Sequence, residues 1–208
     1  IVSKVNVMSY DKVTRKVCLV PVGIDKSEIK VNEIKQGLDD KFAKLMVDFE
    51  VTVAERIDIT YANGDKFLHG GSGVIGVYND DQKVAISKLK ETIAIDDETC
   101  YLFMVKNCIA KKADDSNDIV SGYMPRGYQF GFIYNELTNS RTIAHELSHG
   151  AFHLKHTFAA GEDYIAPERS TDNLMDYAGG ETLNHWQWQD IHLPKSVRFK
   201  WLQDEQDA

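Results

Sequence analysis

The chain is short of proline, of cysteine and of positive charge. Its 208 residues include only four prolines and three cysteines, and 24 basic side chains face 32 acidic ones. Three thiols cannot all pair, and Cys18, Cys100 and Cys108 each fall in or beside an apolar, strand-like segment. No disulfide framework is therefore expected, and the thiols read as ordinary core or surface groups. The formal charge of −8 repels phosphate backbones and anionic headgroups, which argues against nucleic acid as a partner. No apolar run approaches the roughly 20 residues of a bilayer-spanning helix, so no membrane span is expected. Internal repeats and low-complexity linkers are missing as well, which leaves one continuous domain. The chain opens at Ile1 with neither Met nor a charged-then-apolar leader. Part of a longer effector or precursor chain, secreted or extracellular, is the expectation.

What is present is enough apolar material, 43% of residues, for a sizeable core. Residues 13–22 (VTRKVCLVPV) are rich in β-branched side chains and read as a strand closed by Gly23. Over residues 30–47, Val31, Ile34, Leu38, Phe42, Leu45 and Met46 recur at three- and four-residue spacing, the stripe of an amphipathic helix. Residues 49–59 alternate like a strand, and residues 84–93 return to helical spacing. Between them GGSG at 70–73 lacks the Lys-Ser/Thr ending and the strand–loop–helix frame of a phosphate loop. The wholly apolar YLFMV at 101–105 has the form of a central strand buried on both faces. A polar loop at 111–118 follows, and then residues 122–134, whose aromatics and glycines predict an extended edge strand. This order implies a mixed α/β sheet, of the α+β kind, with an antiparallel edge.

The chemistry concentrates in residues 138–158. Thr138, Asn139 and Ser140 supply helix N-cap candidates, and the run that follows contains His145-Glu146-Leu147-Ser148-His149. On a helix the two imidazoles stand one turn apart on one face and reach a single ion, while Ile143 and Leu147 pack inward. Glu146 is rotated off that face, far enough to miss the ion and near enough to act as general base on its water. A random HExxH arises in about one such chain in a hundred, so its surroundings matter. A catalytic zinc ion wants three protein ligands and an open position. His153 and His156 are the nearby candidates for the third. In an unbroken helix His156 would lie about 16 Å along the axis from His145, beyond the reach of one ion. The helix must therefore stop soon after His149, with a bend at Gly150 or the Gly150-Ala151 pair that returns a later histidine. Such a bend favours His156, with His153 the fallback. His69, His185 and His192 have no local partner and read as surface or core histidines.

This stretch resembles the metzincin zinc peptidases, whose signature HExxHxxGxxH is followed by a methionine-containing turn. His145, Glu146 and His149 match it, and Asn173-Leu174-Met175-Asp176-Tyr177 is similar to that turn. Phe152 and Lys155 stand where the pattern has Gly and His, and His156 comes one residue late. The run HELSHGAFHLKHTF also resembles a group of bacterial metallopeptidase domains in which the His before Thr-Phe fits the third-ligand role.

The resemblance implies one catalytic domain over 1–208, with a sheet-rich part at 1–137 and the zinc helix, Met-turn and C-terminal helix at 138–208. It implies a single Zn2+ held by His145, His149 and His156, an endopeptidase reaction with Glu146 as general base, and a peptide or protein substrate. It casts Met175 as an apolar floor under the ion, Tyr177 as an oxyanion stabiliser, and the Thr157 hydroxyl as a partner of the Met-turn. Asp172 and Asp176 become candidate acceptors for imidazole N–H groups. An extended substrate is expected along the edge strand at Tyr128, Gln129, Phe130 and Gly131, through backbone hydrogen bonds. A non-catalytic zinc-stabilised binding module and a zinc hydrolase of a non-protein amide are the alternatives. In the C-terminal region Leu183, Trp186 and Ile191 predict a final helix, pinned by Trp188, before a frayed tail at 203–208.

Overall fold

A computed structural model describes residues 11–61, 77–106, 120–159 and 165–192. The GGSG stretch, the loop at 111–118, the tail, His69 and Cys108 lie outside the described residues. Nine elements follow one another: β1 (Val13–Val22), α1 (Val31–Phe42), β2 (Val47–Val53), α2 (Asp80–Thr92), β3 (Thr99–Val105), β4 (Gly122–Tyr123), β5 (Phe130–Tyr134), α3 (Ser140–Phe152) and α4 (His185–His192). The strands form one sheet in the order β2-β1-β3-β5-β4. The first four are parallel and β4 runs antiparallel to β5. The mixed α/β class expected from the order of elements is the class observed.

Strand position follows from composition. The YLFMV run of β3 lies between β1 and β5 and is buried on both faces, as a parallel central strand must be. Alternate side chains serve two cores. Leu19, Leu102 and Ile133 face the helices α1 and α3, packing with Ile34, Leu38, Phe42, Ile143 and Leu147. Val20, Phe103 and Phe132 face α2, packing with Ala85, Ile86 and Leu89. The α2 start is set one turn earlier than its apolar spacing indicates. There Asn79 accepts from Gln82 N–H while the Gln82 side chain returns to Asn79 N–H. Cys18 is buried and Cys100 half-buried, and neither is in a disulfide.

Four expectations need correction. The helix expected over 30–47 ends at Phe42, because a tight turn at Ala43–Leu45 and a left-handed Met46 (φ 56°) lead directly into β2. The strand expected at 49–59 is β2, already ended at Val53, and beyond it Ile57 only bridges Val22. The single edge strand expected over 122–134 is two strands. The chain reverses through Pro125 and Gly127 (φ +72°), where Tyr128 N–H donates to Pro125 O, so that β4 is the edge and β5 lies inside it. In α4, Ile191 is buried as expected, but Trp186 is 43% exposed. Among the described residues no helix is long and apolar enough to cross a membrane.

Candidate metal centre

The α3 helix begins where Asn139 Oδ1 accepts from the N–H groups of Arg141 and Thr142. It carries His145 and His149 one turn apart and buried. The helix does not bend at Gly150. It runs to Phe152 and ends at His153, whose left-handed backbone (φ 59°) reverses the chain. Leu154 N–H then donates back to Ser148 O, and Gly127 N–H caps His149 O. Gly150 stays helical for a packing reason: a Cβ there would run into Met124 Sδ and Cε. The reversal brings His156 over the helix. Its Nε2 lies 3.1 Å from His149 Nε2 and 3.3 Å from His145 Nε2, and the first pair are themselves 3.3 Å apart. His153, the fallback, is not in this group.

Two of the rings are held in the tautomer that a metal needs. His145 Nδ1–H donates to Leu174 O at 2.8 Å, and His149 Nδ1–H donates to Leu154 O at 2.7 Å. Their Nε2 atoms are thereby left as lone-pair donors. Burial keeps all three rings neutral, lowering His145 to about 4, His149 well below its usual value and His156 to about 3. Mutual repulsion adds to this at His149 and His156. The Nε2 lone pairs of His145 and His149 converge with no proton between them, and a cation among the three nitrogens would relieve their repulsion. Zn–N bonds of about 2.0–2.1 Å in a tetrahedron place their nitrogens about 3.3 Å apart. The observed triangle has those dimensions, so the residues present fit a zinc ion.

The turn 173–177 supports two of these histidines. Its Leu174 carbonyl orients His145, and its Met175 carbonyl accepts Thr157 N–H, next to His156. Thr157 thus meets the turn through its backbone, and its buried hydroxyl has no hydrogen-bond partner among the described residues. Met175 is fully buried in the core under α3. Arg141, which sequence reasoning passed over, holds the turn to the helix start by donating to the carbonyls of Gly180 (2.9 Å) and Asp176 (2.6 Å). The Asp176 carboxylate does not hydrogen-bond an imidazole. It accepts from the N–H groups of Arg169, Ser170, Thr171 and Tyr177 and from the Thr171 hydroxyl. Burial alone would raise its pKa, but these donors bring it down to about 2. Imidazole N–H acceptors here are backbone carbonyls, which composition cannot reveal. The Asp176 nest had a signal, a Ser-Thr-Asp run just before the turn.

Glu146 is buried, and burial pushes its carboxyl up to about 8 against a hydrogen bond from Met124 N–H that lowers it. It packs on β4, where a Cβ on Gly122 would lie 2.7 Å from its Cγ and Oε1. Tyr177 stands beside the histidines, its ring centre 4.8 Å from that of His156 and 6.0 Å from that of His145, and it is 43% exposed. Its phenol is pushed up to about 12, first by burial and then by the charges of Glu146 and Glu168.

Phe130 and Gly131 lie in β5, an inner strand in the sheet order, and Tyr128 and Gln129 precede it. Phe130 and Gly131 pair with Tyr101 and Leu102 of β3, and Gln129 donates to Thr99 O. Tyr128 and Gln129 line a cavity of about 680 Å³ with Arg15, Thr99, Cys100 and His153, and none of the three clustered histidines lines it. His192 Nε2–H donates to Leu45 O, and His185 stacks on Trp188.

No family model matches the chain, and no curated protein matches it. Among solved structures it is similar to archaemetzincin from Methanopyrus kandleri, at 15% identity over 89% of this chain and 91% of that one, with a TM-score of 0.47. It is also similar to a chain in the structure of a chaperone–substrate complex, at 13% identity over 89% of this chain and 34% of that one, with a TM-score of 0.46.

Proposed function

We propose that this chain is a zinc-dependent endopeptidase with Glu146 as its general base and His145, His149 and His156 as metal ligands. One observation carries the reading: three buried, neutral imidazoles present their Nε2 atoms to a common point at 3.1–3.3 Å from one another, with a buried carboxyl on the same helix. Zinc bound there would supply a Lewis acid that brings the pKa of water toward about 7 and polarises a carbonyl.

The protein groups have distinct parts. Glu146, buried on the same helix as two of the histidines, takes the proton of the attacking water and returns it to the leaving amine. Tyr177, exposed beside His156, donates its phenolic hydrogen to the oxygen that gains charge as the carbonyl is attacked. Met175, in the turn that carries Leu174 O to His145, serves as the Met-turn residue and as packing, since a thioether adds little to a site filled by imidazoles. A peptide lies extended along the outer side of β4, because β5 is covered on that side by β4 itself.

The test is Glu146→Ala. Proteolysis of an unfolded protein mixture is abolished while zinc stoichiometry stays the same. Equal cleavage by that variant would remove Glu146 from the mechanism, and wild-type protein that binds zinc yet cleaves nothing would favour a metal-stabilised binding module.

A further inference from the structure

The edge strand does more than offer backbone to a substrate. Tyr134 N–H donates to Ser121 O at 2.9 Å, and Tyr123 stands opposite Phe132, so the odd residues of this segment turn their hydrogen-bonding groups toward β5. By the alternation of an antiparallel ladder, Gly122 and Met124 turn theirs the other way. On that side the Met124 N–H is not idle, for it donates to the Glu146 carboxyl. The carboxyl reaches it through the space left by the missing side chain of Gly122, where a Cβ would come within 2.7 Å of Cγ and Oε1 and 3.0 Å of Cδ.

Met124 is itself locked. Its side chain is fully buried between β5 and α3, in gaps that exist only because both facing residues are glycine. A Cβ on Gly131 would meet Met124 Cγ at 2.9 Å, and one on Gly150 would overlap its Sδ and Cε. Gly150 therefore acts on Glu146 through Met124, although both lie on one helix four residues apart.

We propose that Met124 and Gly122 are positioning residues for the general base: Met124, wedged by Gly131 and Gly150, holds the Glu146 carboxyl through its N–H, in the room that Gly122 provides. This rests on the reading of Glu146 as base, but the geometry stands without it. A carboxyl so held meets the reacting water in one orientation, and misplacement by about 1 Å costs on the order of a hundredfold in rate. No zinc ligand is altered by any of these changes.

The experiment has two arms. The full chain holds five methionines, so selective 15N-methionine labelling resolves the Met124 amide by NMR without reference to any activity. In zinc-loaded protein its resonance moves in Glu146→Gln and in Gly122→Ala. A Met124 resonance indifferent to both substitutions overturns the proposal. In the second arm, Gly122→Ala and Gly150→Ala each keep one zinc per chain and lower kcat on a casein substrate by roughly ten- to a hundredfold with little change in KM. Adding Met124→Ala to Gly150→Ala removes the overlap, so the double variant loses less kcat than the two single variants together, a coupling that merely local damage at Gly150 would not show. Loss of zinc in Gly122→Ala, or independent effects in the double variant, would count against the proposal. Should the wild-type protein cleave nothing, the endopeptidase reading fails, and the NMR arm still decides whether Met124 holds Glu146.

Discussion

Replacing Glu146 by Gln in metal-free protein gives a stability gain that grows with pH, and the size of the effect follows from the burial of this one carboxyl. In the folded chain its pKa stands at about 8 against a usual 4.5. Below the lower value the group is protonated in both states and costs nothing. Between the two values the unfolded chain loses the proton and the folded chain keeps it, so the unfolded state is favoured by about 1.4 kcal/mol for each pH unit. The penalty is under about 1 kcal/mol near pH 5 and about 3 kcal/mol near pH 7. Gln is close in shape, has no charge to bury, and still accepts from Met124 N–H. Urea unfolding of both proteins in chelator therefore gives a difference that widens by about 2.5 kcal/mol from roughly pH 5 to 7. The three histidines titrate alike in both proteins and cancel. A difference that stays flat would mean that the folded carboxyl ionises near its ordinary value, hydrated, and that the buried-acid account of this site is wrong.

Other consequences follow from the same geometry. In the Glu146→Gln background the metal-free fold weakens as pH falls below about 6.5, because the unfolded chain takes up protons on histidines that burial holds neutral in the folded one. The loss is about 1.4 kcal/mol per unit for each such histidine until its folded pKa is reached, which thermal melts across this range would show. Asp176→Asn takes the charge from five donors and costs at least about 2 kcal/mol near neutral pH. That contribution is present above the ordinary Asp value and fades toward about pH 2, so the penalty measured by unfolding shrinks in acid. Tyr177→Phe lowers kcat by about a hundredfold with zinc content unchanged, and steady-state kinetics that match the wild type would take Tyr177 out of the mechanism.

Much of this architecture could be read from periodicity. The β1 strand, α1, the buried β3 and the α3 start carried their own signals in branched runs, helical spacing and a capping Asn. Boundaries failed where a single backbone angle decides them. Nothing in the side chain of Met46 announces a left-handed turn, and the reversal at Gly127 was hidden inside a run that reads as one strand. The histidines were legible because two sit at helical spacing and an 11-residue separation forces the third to return by a turn. The place of the turn was not. His153 adopts the left-handed angle that glycine would take more cheaply, while Gly150 is spent on making room for Met124. Packing between β4, β5 and α3 settles that choice, and such contacts between distant segments leave no local pattern. The same holds for Arg141, whose partners are carbonyls more than thirty residues away.

The account stands on three imidazoles gripping one ion, and metal stoichiometry in single-histidine variants measures that grip. After dialysis without chelator, atomic emission should find one zinc per chain in the wild-type protein and in His153→Ala, and should find the ion gone from His145→Ala, His149→Ala and His156→Ala. Zinc retained by His156→Ala, or lost from His153→Ala, would contradict it.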